Sequence, residues 1–505
     1  MNTKTHQIRK IFFLFILFLC TMGKIDAQQS AYLTKDEVLL SMRKATDYMA
    51  LEVSNRGGYL YHYSEDFTEQ WGENTARKSQ IWVQEVAPQI GKLFLDLYEN
   101  TGDEAYLNYA KRLGNALIFG QHELGGWNFF IDFDPRGIEE WYDQVASRYA
   151  VGMEEFRFYS DNCTYDDNIT QGATAYLLRL YMITLAPEYL GPLQKALNFM
   201  LISQYPNGAW PQRYPLTFDH VQDTLPDYTS MYTLNDDAMK TIIDVLLDAY
   251  IQLGDERYLE SAKRGGDFFM ISQGPEGQAA WAEQFGMDMQ PCWARTHEPA
   301  AFFPREVVNT IATLEKLYLF TGDRRYLRPV PGGLEWLKKS QLRLNEDGTS
   351  VLARYYEPGT NIPLNRTRKK EVSEEGYVLN HWFPDESKPF MGETRTVDLE
   401  EVVSTYERVR DAAPEEREDL YNELYVRNHK EYSRYFGGIP DQPVSPNEEE
   451  VSALINALNE QGAWIEPIEV LDSKPGEICT GKKTIQGIST LSYIKNMRVL
   501  MGFID

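Results

Sequence analysis

From about residue 35 onward the chain is built of stretches in which apolar residues return every third or fourth position. Residues 238–250 and 307–320 show this most clearly, and the spacing predicts amphipathic helices. Four segments share a finer pattern: a turn, a Tyr-Leu pair, a helical stretch, a Gln and a glycine-containing loop. The pairs are Tyr106-Leu107, Tyr189-Leu190, Tyr258-Leu259 and Tyr326-Leu327; their glutamines, at one constant spacing, are Gln121, Gln204, Gln273 and Gln341. Three of the loops carry Gly and then Trp: Gly126 with Trp127, Gly208 with Trp210, Gly277 with Trp281. Gly57, Gly58 and Tyr59 form a weaker copy. Repeats of this length, with a second helix between them, are helical hairpins packed side by side. No stretch alternates as a multi-strand sheet requires. The fold is therefore read as all-α: repeated helical hairpins forming an α/α toroid, an incomplete barrel with an inner and an outer row. Residues 458–464 repeat the Gly-Trp loop, and residues 487–504 read as one more inner helix that closes the ring. Residues 384–450, acidic and interrupted by prolines, read as a helical insertion or covering arm.

The N-terminus departs from this pattern. Lys4, Arg9 and Lys10 precede an unbroken apolar run over residues 11–20, and Ala27 ends a small-residue exit. That is the layout of a signal peptide, too short for a stable membrane anchor. Residues 1–27 are expected to be cleaved near Ala27, leaving residues 28–505 as a single domain, secreted or periplasmic. No later stretch is apolar enough to insert into a membrane. The mature chain keeps Cys163, Cys292 and Cys479, an odd and small number, so disulfides are not the framework. A chain of this length can rely on its core instead, and a monomer is expected. The net charge of −25 argues against nucleic acid or anionic membrane surfaces as partners. An anionic ligand would need concentrated local cations.

In a ring of hairpins, the loops that run into inner helices gather at one mouth. Three polar clusters fall there: Asp166 and Asp167 with Asn168; Asn235 with Asp236 and Asp237; and Arg295 with His297 and Glu298. A single Asp at a helix start is explained by capping and by the helix dipole. Two adjacent acids at two successive inner helices exceed that need, and converging hard oxygens are what Ca²⁺ takes. A fourth cluster runs from Arg354 to Arg366, Arg368, Lys369 and Lys370. It is either an exposed basic loop or the cationic spot an anionic substrate requires. The histidines form no zinc pattern, and neither a phosphate-binding glycine loop nor a nucleophile elbow occurs.

From about Gly57 to Trp382 the chain resembles the pectate lyases of polysaccharide lyase family 10, the pectic acid lyases. The resemblance rests on Tyr205, Pro206, Asn207, Gly208, Trp210, Gln212, Arg213 and Tyr214, then Asn235, Asp236 and Asp237, then Arg295, Glu298 and Pro299, then Arg354, Tyr355 and Tyr356. Ala209 stands where the family usually has a second Gly. The resemblance implies Ca²⁺-dependent β-elimination of polygalacturonate, with pectate oligosaccharide as the partner. It implies metal binding by Asp166, Asp236 and Asp237. Substrate contacts fall to Asp166, Arg295, Arg366, Gln212 and Glu298, with Trp127 and Trp210 packing on sugar faces at the mouth. Arg368 is implied as the base. Two other readings stay open: a metal-independent toroid hydrolase acting on unsaturated uronides, and a non-catalytic pectin-binding protein.

Overall fold

The computed structural model describes residues 33–134, 136–137, 162–216, 221–222, 225–226, 228–294, 298–366, 371–372, 378–379, 382–384, 390, 392–426, 446–474 and 481–504. Helix α1 (Lys35–Tyr48) opens the described chain. Four hairpins follow: α2 (Val86–Thr101) with α3 (Glu104–Phe119), α4 (Ile169–Thr184) with α5 (Pro187–Ile202), α6 (Ala238–Leu253) with α7 (Glu256–Ser272), and α8 (Pro304–Thr321) with α9 (Val330–Lys339). Then come α10 (Leu399–Asp411), α11 (Arg417–Tyr421), α12 (Glu448–Asn456) and α13 (Thr490–Ile504). The fold is all-α in its framework, an α/α toroid of helical hairpins.

The two rows differ in how they bury their residues. Inner helix α6 buries Ala238, Met239, Thr241, Ile242, Ile243, Val245, Leu246, Leu247 and Ala249, on nearly every side. Outer helix α3 buries one stripe, from Tyr106 and Leu107 to Ala110, Leu113 and Leu117. That contrast is what separates a core helix from a surface one. The inner row runs α13, α2, α4, α6, α8, each packed on the next, and α10 and α11 lie against α8. Helix α1 packs on α13 and so serves as its outer partner, which stitches the ring through its two termini. Thr46 Oγ1 and Tyr493 Oη hydrogen bond at 2.7 Å across that seam. Among the described residues no helix is long and apolar enough to cross a membrane, and Cys163 and Cys292 are free thiols.

The repeat residues bind neighbouring hairpins together. Gln121 Nε2 donates to Gly125 O at 2.8 Å in its own loop and to Pro192 O at 2.9 Å in the next outer helix. Gln204 does the same with Gly208 O (2.9 Å) and Ser261 O (3.0 Å), and Gln273 with Ala279 O (3.3 Å) and Pro329 O (2.8 Å). Two of the loop glycines, Gly125 and Gly208, sit tight against the same outer helices. Gly208 has φ +96°, and a Cβ there would lie 1.9 Å from Arg264 O; a side chain is excluded by both conformation and space. Gly462, at φ +100°, presses in the same way on Lys44 O of α1. The loop over residues 458–464 is thus the unit that meets the first helix.

One part of the sequence reading needs correction. A four-stranded antiparallel sheet exists, in the order Glu466–Leu471, Lys482–Ser489, His62–Ser64, Gln70–Trp71. Residues 487–489 are its strand, pairing with Tyr63 and its neighbours, and α13 begins only at Thr490. Smaller strand pairs tie successive mouth loops together: Gln80–Trp82 with Phe130–Asp132, Cys163–Thr164 with Arg213–Tyr214, and Tyr232–Thr233 with Gln284–Phe285. This belt holds the loops that carry the polar clusters.

Candidate active site

The starts of α4 and α6 share an unusual backbone. Asp167 and Asn168 lie in the left-handed region (φ 48° and 58°), as do Asp236 and Asp237 (φ 49° and 59°). Two consecutive non-glycine residues in that region are strained, and such strain collects at functional positions. Neither turn caps its helix through a side chain. Outer helices α3 and α7, by contrast, are capped in the ordinary way: Asp103 accepts from Ala105 N–H and Asp255 from Arg257 N–H, each at 3.0 Å. Capping therefore does not account for the paired acids of the inner row.

What these turns do is bring carboxylates together. Asp166, Asp167 and Asp236 each present an oxygen within 4.8 Å of the others. Asp166 is buried, and Asp167 accepts a 2.6 Å hydrogen bond from Gln84 Nε2. Asp237, expected as a ligand, is not part of this group. Its fully buried carboxylate turns beneath the mouth, pairing with Arg305 at 2.6 Å and accepting from Asn309 Nδ2. The reason lies in the matched turns. Asp236 occupies the conformation of Asp167, and Asp237 that of Asn168, so the upper acid of each turn faces the mouth. Ca²⁺ binds oxygen at about 2.3–2.6 Å, so ligands on opposite sides of one ion stand roughly 4.6–5.2 Å apart. The Asp166–Asp167–Asp236 group fits that cation in spacing and in donor type.

Behind this group stands a wall of buried acids. Glu283 accepts from Tyr355 Oη at 2.6 Å; burial and the like charge of Glu298 push it up to about 8. Glu298 accepts from Asn235 Nδ2 at 3.3 Å. Burial, with Arg305 opposing it, raises Asp237 to about 7. Burial and Asp237 hold Glu306 well above the usual carboxylate range. At the start of α2, Glu85 is a further strained residue (φ 57°), raised by burial to about 7. Glu85, Asp237, Glu283 and Glu306 can therefore hold protons near neutrality. Guanidinium groups flank them. Arg354 pairs with Glu393 at 2.9 Å and Arg366 with the same carboxylate at 3.0 Å.

The other sequence-predicted residues are placed as follows. Gln212 is buried on the mouth belt, its backbone O accepting from Tyr165 N at 2.8 Å. Its Nε2 has no partner among the described residues. Arg366 ends a short strand, Leu364–Arg366, beside Arg354. Arg295 and Arg368 lie outside the described residues. Trp127 and Trp210 do not line the mouth. Both are fully buried, and each indole N–H donates to a carbonyl of the preceding outer helix: Leu117 O at 2.8 Å and Met200 O at 2.7 Å. Trp281 and Trp464 bond to Phe269 O and Leu454 O in the same way. The Gly-Trp motif is a packing device.

Sequence reasoning missed Glu283, Arg305, Gln84 and Glu85. Two signals were available. Glu283 stands two residues after its loop Trp, as Gln212 does after Trp210. Arg305 follows the first residue of an inner helix, the rim rule that selected the acids.

The class so defined is an α/α toroid with an acid–arginine site at its mouth. The family model of the pectic acid lyases matches residues 141–351, and over that segment the chain is similar to this family. No curated protein sequence matches the chain significantly. Among solved structures it is similar to a family 10 polysaccharide lyase from Cellvibrio cellulosa, at 20% identity and a TM-score of 0.39, covering 56% of this chain and 84% of that one. A mutant of that lyase in complex with trigalaturonic acid gives 20% identity and a TM-score of 0.39, covering 55% and 86%. An inactive variant of an α-1,6-mannanase from Salegentibacter sp. HEL1_6 gives 12% identity and a TM-score of 0.39, covering 93% and 99%.

Proposed function

We propose that this protein is a polysaccharide lyase that cleaves polygalacturonate by Ca²⁺-dependent β-elimination, outside the cytoplasm. The observation that carries the reading is the convergence of Asp166, Asp167 and Asp236 at the mouth, with arginines beside them. Elimination removes the proton on C5 of a uronate and expels O4, and the negative charge that develops flows into the uronate carboxylate. A Ca²⁺ ion held by Asp166, Asp167 and Asp236 would supply positive charge to that carboxylate. The chain's own part is to hold the sugar and to receive the proton. Arg295 and Arg366 bind carboxylates, and Arg368 takes the C5 proton, in the roles the family resemblance implies. Guanidinium donors aimed at a carboxylate stabilise charge where it grows. A guanidinium accepts a proton only in its neutral form, so the rate should climb into the alkaline range.

The test is the ultraviolet absorbance of the unsaturated product on polygalacturonate, which hydrolysis does not generate. Absorbance should grow with Ca²⁺, vanish with chelator and return on adding Ca²⁺ back. Asp167→Asn and Asp236→Asn should each lower kcat/KM by at least about 100-fold while leaving the melting temperature nearly unchanged, because neither side chain caps its helix. Full activity in chelator would remove the metal from the mechanism. Reducing-end release without the absorbance would favour the hydrolase.

A further inference from the structure

The strand Thr394–Val397 lies beyond the segment that matches the family, and it brings a cation to the mouth. It pairs antiparallel with Ser350–Ala353, with Leu352 opposite Arg395, and Arg354 N–H donates to Glu393 O at 2.8 Å one step further along the ladder. Residues opposite one another, and those two apart along a strand, share a face. Leu352, Arg354, Glu393 and Arg395 therefore point to one side. Beneath them is Phe303, the residue that opens α8; Arg354 Cζ and Arg395 Cζ each stand 5.8 Å from its ring centroid. The next residues of that helix are Pro304, Arg305 and Glu306, so the face adjoins the acid wall described above.

The charges on this face do not balance. Glu393 is its described carboxylate, and that group is shared by Arg354 and Arg366. Against the upward push of partial burial, those two arginines hold Glu393 below its usual range, so it is an ionised, fully engaged partner. Arg354 Nε is buried with no acceptor among the described residues. The hydrogen bond of Arg395 goes to the backbone, to Thr394 O at 3.0 Å. Partial burial and the charge of Arg354 lower the pKa of Arg395. A half-buried guanidinium with no carboxylate hydrogen-bonded to it among the described residues, set over an aromatic ring beside another guanidinium, is a preorganised site for a planar anion.

We propose that Arg395, with Arg354 and the Phe303 ring beneath, binds the carboxylate of a second, unesterified uronate unit next to the one being cleaved. This inference rests on the substrate class proposed above and adds the residue that selects for free carboxylates. A methyl ester at that unit removes the charge and one acceptor, so Arg395 is a specificity determinant.

The experiment compares the parent protein with Arg395→Gln and Arg395→Lys, on trigalacturonate and on its methyl-esterified form. Calorimetric affinity is measured alongside steady-state lyase kinetics. One charge-assisted contact corresponds to about tenfold or more in affinity. Arg395→Gln should weaken trigalacturonate binding by about that factor, with the kinetic loss falling on KM more than on kcat. Binding of the ester should change little, so discrimination between the two ligands should collapse. Arg395→Lys should recover part of the affinity. Unaltered melting temperatures confirm folded variants. Arg395→Gln binding both ligands as the parent does would overturn the proposal, as would an equal loss for both. Calorimetry reads this without turnover, so a chain that binds trigalacturonate selectively but fails to eliminate would sink the catalytic reading and leave this one standing.

Discussion

At the scale of single residues, the two tryptophans and the paired acids show how neighbours in sequence part company in space. Trp210 and Asp236 belong to loops of the same mouth, yet one is anchored in the core and the other faces the cleft. Trp210 fills the space between α5 and its loop, and Gly265 of α7 passes so close that a Cβ there would lie 2.8 Å from the ring. Truncating a buried aromatic costs about 3–5 kcal/mol. Trp210→Ala should therefore lower the melting temperature sharply, while KM measured well below it stays within about twofold of the parent. A raised KM with an unchanged melting temperature would return this side chain to the substrate. The acids teach the complementary lesson. That they exceed capping needs was legible in the sequence, but which of two adjacent acids faces the mouth was not. The two left-handed residues in each turn break the helical spacing by which side-chain direction is read. Hence Asp237 was expected at the mouth and Asp167 stands there.

At the scale of elements, the inner helices carry a burden their periodicity does not announce. Glu315 lies in α8, where an amphipathic reading would place it on a solvated face. It is 2% exposed, and its Oε1 has no hydrogen-bond partner among the described residues. Burial raises its pKa to about 8, whereas in the unfolded chain a Glu titrates near about 4.3. Between those values the folded state holds a proton that the unfolded state has released. Stability contributed by the protonated form is then lost as pH rises through the window. Asp237, Glu283 and Glu306 tilt the curve the same way, so the contribution of Glu315 is read as a difference between variant and parent. Glu315→Gln keeps the shape and removes the titration. Its melting temperature should exceed that of the parent by roughly 2–4 °C at about pH 8 and match it at about pH 4. A constant offset at both values would mean that packing, and not protonation, sets the cost. The hairpins themselves were legible because the constant Tyr-to-Gln spacing records a real contact, the glutamine bridging its own loop to the next outer helix. The sheet of residues 466–489 was not: its partner strand around His62 lies some four hundred residues away, and no local pattern encodes that pairing.

At the scale of the whole molecule, the ring and its charge act in opposite senses on the proposed substrate. The net charge of −25 sets up a field that repels a polyuronate at long range. The mouth holds its cations, Arg305, Arg354, Arg366 and Arg395, among buried acids, and their attraction is short-ranged. Salt separates the two. Raising ionic strength from about 10 mM to about 150 mM shortens the screening length from about 30 Å to about 8 Å. The distant repulsion is screened, while contacts inside the half-buried mouth are screened much less. With Ca²⁺ kept saturating, kcat/KM on long polygalacturonate should therefore rise across this range. On trigalacturonate, which carries few charges, it should change less. The ratio of the two, measured at several salt concentrations, isolates the long-range part. If instead kcat/KM on the polymer falls steadily with salt, the arginines of the mouth govern encounter as well as binding, and the acidic surface plays no part in substrate approach.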